Sequence, residues 1–429
     1  MKDEIKSSQY CRLIKYPGEH SAYLFSTLYK TILRLAPANV LKWEEGRHEE
    51  FFQHQSLEKL QRYFLVSSRC DEFSRALHYI VNPPGLPRTL YATVVLTMQC
   101  NMSCIYCHES GQTGEEKMTP SIARETGKFL AYLVQQGKYH RMILYFYGGE
   151  PLLNPDALEI IVNFIQKSSS IPITVIIPTN GLLLADDNHC LNRLDVLGVN
   201  IVLQITVDGP FFIHDIRRPG LTKKASYEQV IRAIKKSVAR FKVIIRTNIG
   251  NDNIRYMGDL LDELTELNLL PRLVDWYAST LAEVIGNHHI NREILSREER
   301  EKGMEMIWRE QVERGIPIQN ELGEGLCGIL RKSLLTIDCQ GGLYPCTGLH
   351  SRTEPPGNIF EKKVPWNTVS SPDFPMACRV CTYFPYCGGG CKAMKIVRDN
   401  KKYCEYSFFE KVLPVFLKYK YRLFGLHDK

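Results

Sequence analysis

No stretch of this sequence approaches the eighteen or so unbroken apolar residues of a membrane-spanning helix. The opening residues, MKDEIKSSQYCRLIKY, lack the apolar core of a secretion signal. No membrane association is expected, and the cytoplasm is the expected location. Long lysine or arginine runs are missing as well. The net charge of +7 is spread over 429 residues, which does not indicate nucleic acid and would tolerate an acidic peptide. With no export signal, the fourteen cysteines do not read as disulfides, because a reducing compartment keeps thiols free for metal or redox chemistry. The hydrophobic content of 44% and the length allow roughly two to three domains with ample core.

The cysteines are unevenly placed. Cys11, Cys70 and Cys190 stand apart and read as small core or surface residues. Eleven fall in two groups, 100–107 and 327–404. The first group is Cys100, Cys104 and Cys107, a C-x3-C-x2-C spacing in CNMSCIYC. Closed zinc and iron-sulfur sites use four protein ligands, so three thiols imply either a remote fourth donor or a position left open for something else. On spacing alone a cluster, a zinc site and unpaired structural thiols all remain readings.

VNPPGLPRT at 81–89 reads as a linker, since three prolines and a glycine end any regular element. It divides an N-terminal module, 1–82, from a core, 90–315, and a cysteine-rich part, 320–429. The module has strand-like runs (CRLIKY, AYLFSTLYKTILRL) and two helical ones (ANVLKWEEG, SLEKLQRYFLVS). In the core six apolar strands alternate with helical segments: LYATVVLTM, MILYFY, ITVIIP, NIVLQITV, FKVIIRTNI and RLVDWYA. That is an α/β pattern, a parallel sheet expected to be covered on both faces. A doubly wound sheet or a partial (β/α)6 barrel of the TIM type would both place chemistry at the C-terminal ends of the strands. The polar signatures fall there: the cysteine loop, Gly148-Gly149-Glu150-Pro151, Thr179-Asn180-Gly181 and Asp208-Gly209-Pro210. One of the intervening helices is expected to start at Thr119-Pro120, a cap followed by proline at the first helical position. From about 320 the alternation stops, and the segment is expected to need metal to hold it together. The aromatic, basic tail FFEKVLPVFLKYKYRLFG reads as a helix packed on the body.

These residues together resemble the radical S-adenosylmethionine (SAM) enzymes: C-x3-C-x2-C after the first strand with Tyr106 before its last cysteine, then GGEP after the second. The resemblance implies a partial (β/α)6 barrel in which the three cysteines hold a 4Fe-4S cluster and SAM completes the fourth iron. Gly148 and Gly149 would let backbone approach the SAM methionine, with Glu150 beside its ammonium. Thr206 and Asp208 in ITVDGP would meet the ribose hydroxyls, Asn180 lies on the neighbouring strand end, and Arg246 would offer a bidentate guanidinium to the SAM carboxylate. The chemistry implied is reductive cleavage of SAM to a 5'-deoxyadenosyl radical that abstracts hydrogen from substrate, with a flavodoxin- or ferredoxin-type electron donor.

The second group runs Cys327-x13-Gly341-x4-Cys346, then Cys378-x2-Cys381-x5-Cys387-x3-Cys391, then Cys404. It resembles the SPASM extension of these enzymes, with Gly341-Gly342 in a tight hairpin. That resemblance implies two auxiliary 4Fe-4S clusters. Cys378, Cys381, Cys387 and Cys404 would hold one; Cys327, Cys346 and Cys391 the other, with Cys339 as a possible fourth ligand. Two zinc sites are the competing reading.

Enzymes of this architecture mostly modify peptides, and the expected substrate is a ribosomally made precursor peptide or a protein, with a thioether or carbon-carbon crosslink as product. The N-terminal module resembles the winged-helix-like domain with which peptide maturases bind a leader by strand addition. Its layout is similar to that of geopeptide-type maturases. Alternatives are formylglycine formation of the sulfatase-maturase type, a haem or cofactor biosynthesis enzyme, and a zinc-stabilised binding protein. Sulfatase maturases carry aspartate where this chain has Thr347. No general base is singled out: Glu109, Asp215 and Asp275 are all expected near strand-end loops.

Overall fold

The computed structural model describes the chain except residues 1–4, 49, 51–59, 61, 83–86, 108–115, 187, 223, 281–294, 319–332, 351–352, 363, 365, 367–373, 392–403 and 424–429. Cys327 and Glu109 lie outside the described residues. Among the described residues no helix is long and apolar enough to cross a membrane.

The N-terminal part pairs β1 (Ile5–Ser7) with β5 (Leu65–Ser67) and folds β2 (Cys11–Lys15), β3 (Ala22–Ser26) and β4 (Thr31–Leu35) into an antiparallel meander. A helix spans Pro37–Glu44, as ANVLKWEEG suggests. Of the second expected helix, residues 56–59 and 61 lie outside the described residues and Leu60, Arg62 and Tyr63 are helical, but its last residues form β5 instead, where Leu65 and Val66 are buried in the extended form that suits them. A helix at Glu72–Val81, capped by Asp71 through the Ser74 N–H at 3.0 Å, was not foreseen.

Six parallel strands follow in sequence order: β6 (Thr89–Thr97), β7 (Arg141–Gly148), β8 (Ile173–Thr179), β9 (Asn200–Thr206), β10 (Lys242–Ile249) and β11 (Asp275–Thr280). The crossover from β6 to β7 carries the helix Pro120–Gly137, whose cap Thr119 accepts from the Ile122 N–H, as the Thr-Pro signature implies. Val94, Leu144, Val175, Leu203 and Ile245 pack with Phe129, Ile161 and Ile234 of the intervening helices in one continuous core. Each such aliphatic side chain contributes about 1.5–3 kcal/mol by its burial.

The alternate residues of the same strands tell a different story from the one expected. Tyr145, Tyr147, Ile176, Pro178, Gln204, Thr206, Arg246 and Tyr277 are only half-buried. Strand side chains alternate between faces, so helices cover one face and these residues line the other. Coverage on one face is the arrangement of a partial (β/α)6 barrel, whose inner face is available to ligands.

Part of the cysteine-rich segment joins the main sheet. β12 (Leu334–Ile337) pairs parallel with β6 and forms a hairpin with β13 (Gly342–Tyr344), and β14 (Gly357–Asn358) completes a nine-stranded sheet. Leu335, Ile337 and Leu343 join the main core. The hairpin turns at Gly341, as its glycines imply, with φ +90° and Ile359 Cδ1 2.8 Å from where a Cβ would stand. The tail forms the helix Tyr406–Lys420 and packs on the helix Arg297–Glu313, with the Trp308 and Phe416 rings 5.2 Å apart. The N-terminal meander docks on this end: Ile14 and Phe25 pack with Tyr383, Tyr386 and Leu413, and Thr27 Oγ1 donates to the Thr382 carbonyl at 2.6 Å.

Candidate radical SAM site

The cysteine loop leaves the C-terminal end of β6 and is clasped from one side. The Ser103 N–H donates to the Pro219 carbonyl at 2.9 Å, the Ile105 N–H to the Arg217 carbonyl at 3.0 Å, and Met102 bridges Gly220. Cys100, Cys104 and Cys107 are all half-buried in it. Burial pushes the Cys100 thiol up to about 11, aided by Glu150, Cys104 and Cys107. Cys104 is also raised by burial, against the opposing influence of Arg218. These thiols act on one another electrostatically and resist ionisation without a cation, a donor set that suits a thiophilic metal centre. As positioned, no group of three or more His, Cys, Asp or Glu side chains among the described residues is drawn together into a finished metal shell.

The two glycines at the end of β7 are explained by the chain itself. Gly148 has φ +140°, and a Cβ there would stand 2.0 Å from the Thr97 carbonyl oxygen; at Gly149 it would stand 2.4 Å from that of Gln99. The Gly149 and Glu150 N–H groups donate to those same carbonyls at 3.0 and 2.8 Å. The glycines thus press β7 against the root of the cysteine loop, with room for no side chain. Glu150 is fully buried, and its oxygens accept from Leu152 N–H, Thr179 Oγ1 and Asn180 N–H at 3.1, 2.9 and 2.8 Å. Burial raises its carboxyl while these donors oppose the shift. Asn180, held in this way, donates its amide to Asn101 Oδ1 at 2.7 Å and lies 3.9 Å from Cys100 Sγ.

Tyr106 and Asp208 meet in a buried network. The Tyr106 hydroxyl donates to Asp208 and accepts from Arg218 Nη1 at 2.5 Å and Asn248 Nδ2 at 3.1 Å. Asp208 Oδ1 accepts the Asn248 N–H at 2.8 Å, and Asn253 Nδ2 holds the Asp208 carbonyl at 2.7 Å. Arg217, which pairs with Asp252, lays its guanidinium 4.8 Å from the Tyr106 ring centroid. His214 is held well below the usual imidazole range by burial first and by the two arginines second, so it is neutral. Sequence reading missed Arg217, Arg218, Asn248 and Asn253. The adjacent arginines after ITVDGP were the available signal, since neighbouring charges near a strand-end turn seldom both point to solvent.

Thr206 and Arg246 stand side by side in the β9–β10 register on the inner face, with Tyr277 opposite Arg246 on β11. The Arg246 Nε is buried with no hydrogen-bond partner among the described residues. Asp215 is spoken for, accepting from the Ser226 and Tyr227 N–H groups at 2.7 and 2.8 Å. Asp275 is the first residue of β11, at the end of the sheet opposite the cysteine loop, because the strand it belongs to begins later than its apolar run. Neither is placed to act as a base at the strand ends.

In the C-terminal group Cys378, Cys381 and Cys387 lie on two short helices at Met376–Arg379 and Phe384–Cys387. Burial raises the Cys381 and Cys387 thiols, and each is also raised by Cys378 and Cys404. Cys391 is exposed. Cys346 accepts from the Gly348 N–H at 3.3 Å. Cys339 is buried in the β12–β13 turn against Val95 and Met98, close to the root of the first cysteine loop, and burial pushes its thiol up to about 12.

Comparison with known proteins agrees with this geometry. Residues 94–264 match the Radical SAM superfamily model. The chain is 31% identical over 177 residues to a probable GTP 3',8-cyclase of Methanopyrus kandleri, covering 41% of this chain and 52% of that one. It is 30% identical over 179 residues to the GTP 3',8-cyclase of Chlorobaculum tepidum, covering 40% and 50%. The chain thus spans about half the length of these curated relatives. Among solved structures, anSMEcpe with bound AdoMet and Cp18Cys peptide superposes with TM-score 0.60 and 17% identity, covering 79% of this chain and 98% of that one. Streptococcus suis SuiB bound to precursor peptide SuiA gives TM-score 0.55 and 15% identity, covering 94% and 99%. Strands β7 to β10, the cysteine loop and the glycine pair that seats it fall within the matched segment: between residues 94 and 264 the chain carries a domain of the Radical SAM superfamily.

Proposed function

We propose that the protein is a radical SAM/SPASM peptide maturase that installs a thioether or carbon-carbon crosslink in a ribosomally made precursor peptide. The observation that carries this reading is one of extent. The fold likeness to the SuiB structure, solved with a precursor peptide, runs over 94% of this chain. Cys100, Cys104 and Cys107 would hold a 4Fe-4S cluster with SAM at its open iron, and together these supply a 5'-deoxyadenosyl radical on one-electron reduction.

The chain's own residues orient and enclose. Gly148 and Gly149 fix the distance between β7 and the loop; Glu150 and Asp208, whose oxygens are engaged by the chain, hold the backbone and Tyr106 that would border SAM. Thr206 and Arg246 face inward, and the unpartnered Arg246 Nε fits the SAM carboxylate. Cys378, Cys381, Cys387 and Cys404 would hold one auxiliary cluster. Cys346, Cys391 and Cys327 would share in the other, with Cys339 as its candidate fourth ligand.

A small-molecule role is the second reading, favoured by the relatives named GTP 3',8-cyclase. Those matches reach only 41% and 40% of this chain, leaving the flanking parts without a counterpart in the alignment. Formylglycine formation is less favoured, because Thr347 sits where a carboxylate base is expected and its Oγ1 lies 3.0 Å from that of Thr336. Anaerobic incubation with SAM, reductant and either GTP or a candidate precursor peptide separates the readings. A peptide that loses a hydrogen pair, with 5'-deoxyadenosine formed, supports the proposal; turnover of GTP and an unchanged peptide overturns it.

A further inference from the structure

Cys378, Cys381 and Cys387 sit on and between two short helices, and much of the surface they pack on comes from the other end of the chain. Cys378 and Cys381 lie against a cluster in which Tyr10, Leu28, Ala76 and Ile80 of the N-terminal module meet Phe374 and Phe384. Cys381 and Cys387 lie against a second cluster, where Ile14 and Phe25 of the module meet Tyr383 and Tyr386. The Phe73 ring stands 5.6 Å from that of Phe374 and 4.9 Å from that of Phe384.

The polar contacts are more specific. Gln9 Nε2 donates to the Arg379 carbonyl at 2.9 Å, and Thr27 Oγ1 donates to the Thr382 carbonyl at 2.6 Å. Arg379 directly follows Cys378, and Thr382 directly follows Cys381. Both donors are themselves anchored: the Gln9 N–H donates to Glu72 Oε2 at 3.1 Å, and the Thr27 N–H to the Tyr10 carbonyl at 2.8 Å. Glu72 is buried and also accepts from Ser8 Oγ at 2.5 Å. The fourth thiol is fixed by the core instead: Arg297 Nη2 donates to the Cys404 carbonyl at 3.3 Å, and Arg300 pairs with Glu405. Carbonyls held in this way fix the backbone from which a ligand side chain departs, as outer partners do at metal sites.

We propose that Gln9 and Thr27 are positioning residues for the thiols of Cys378, Cys381 and Cys387, so that the N-terminal module forms part of the outer shell of the metal centre those thiols build with Cys404. The assignment rests on the reading of these four residues as an auxiliary metal centre. A donor set of four thiolates suits a 4Fe-4S cluster or a zinc ion, and the two donors serve the backbone in the same way for either. The module thereby has work to do at the cysteine-rich end that is independent of any peptide it binds. Metal binding and docking of the module favour one another, because the metal stiffens the turn on which the module packs.

The test uses the full-length chain carrying Cys100→Ala/Cys104→Ala/Cys107→Ala, which leaves the C-terminal thiols to bind metal, after anaerobic reconstitution with iron and sulfide. Iron release to an iron(II) chelator is timed, and the electron paramagnetic resonance spectrum of the reduced protein is recorded. Adding Gln9→Ala/Thr27→Val removes both donors; about half of the iron is then expected to leave about tenfold faster or more, with the signal of one cluster altered. Gln9 is only half-buried, so Gln9→Ala alone gives the same test with the core untouched. Thr27→Ser keeps the hydroxyl and is expected to match the parent. Tyr16→Phe removes another hydrogen bond of the same interface, from the Tyr16 hydroxyl to the Pro414 carbonyl at 2.8 Å, and is also expected to match it. Unchanged release in Gln9→Ala and in the double variant would overturn the assignment, as would equal acceleration by Tyr16→Phe. A parent that takes up two zincs and no iron would overturn the cluster reading alone, and zinc release to a zinc chelator from the same variants then decides the assignment. A parent that holds no metal at these thiols would overturn both.

Discussion

Arg218 donates a hydrogen bond of 2.5 Å to the hydroxyl of Tyr106, and both side chains are buried behind the cysteine loop. The same hydroxyl donates to Asp208, so a residue of the loop is tied through one oxygen to the end of β9 and to the segment that clasps the loop. Electrostatics and position are thereby coupled, since the guanidinium that holds Tyr106 also acts on Cys104.

Removing the hydroxyl tests that tie. Tyr106→Phe leaves Asp208 and Arg218 each short of a partner in a buried site, which is expected to cost about 1–3 kcal/mol. Arg218→Met removes the cation and leaves the carboxylate buried with less compensation, at about 3–5 kcal/mol. Urea denaturation of the metal-free proteins measures both, and the arginine variant should be the less stable.

Gly148→Ala places a methyl group against the Thr97 carbonyl in a backbone conformation that L-residues rarely adopt. A loss on the order of 2 kcal/mol or more is expected, with less iron retained because the loop root moves. The melting temperature and iron content of the variant check this together. A variant with wild-type values would show that β7 and the loop do not meet as described.

Asp275 supplies a pH signature. Burial raises its carboxyl to about 6, so the folded protein holds this proton at pH values where the unfolded chain, with a carboxyl near ~4, has lost it. The folded state then binds more protons, and stability falls as pH rises from ~4 through about 6. Asp275→Asn lacks this dependence. Unfolding curves across that window should show wild type losing stability relative to the variant as pH increases.

Arg246 makes a prediction about binding. If its free Nε side meets the SAM carboxylate, Arg246→Lys keeps the charge but not the fork, and SAM affinity should fall roughly tenfold while the fold is unchanged. Calorimetric titration of SAM and a circular dichroism spectrum measure the two parts.

The fold was largely legible because its signals are periodic and local. Apolar strands such as ITVIIP and NIVLQITV read directly as β8 and β9, and Thr119-Pro120 marked a helix start. What the sequence hid depends on contacts distant along the chain. β12 pairs with β6 across more than two hundred residues, which no local pattern reports, so Leu335 and Ile337 were read as part of a metal-dependent segment. The uncovered inner face was hidden because a half-buried Tyr145 or Ile176 looks as apolar as a buried one. At the site, the motif residues were visible by type, but not their engagements. Glu150 and Asp208 turn out to hold the chain's own N–H and O–H groups, and Arg217 and Arg218 are marked only by standing next to each other.

The central claim is that three thiols, Cys100, Cys104 and Cys107, form a site of their own, distinct from the thiols at Cys378 to Cys404. Anaerobic reconstitution with iron and sulfide, followed by metal analysis of wild type and of the Cys100→Ala/Cys104→Ala/Cys107→Ala variant, tests it most directly. The account predicts about twelve irons per chain in wild type, about eight in the variant, and SAM cleavage only in wild type. Equal iron in the two proteins, or about four irons accompanied by two zincs in wild type, would contradict it.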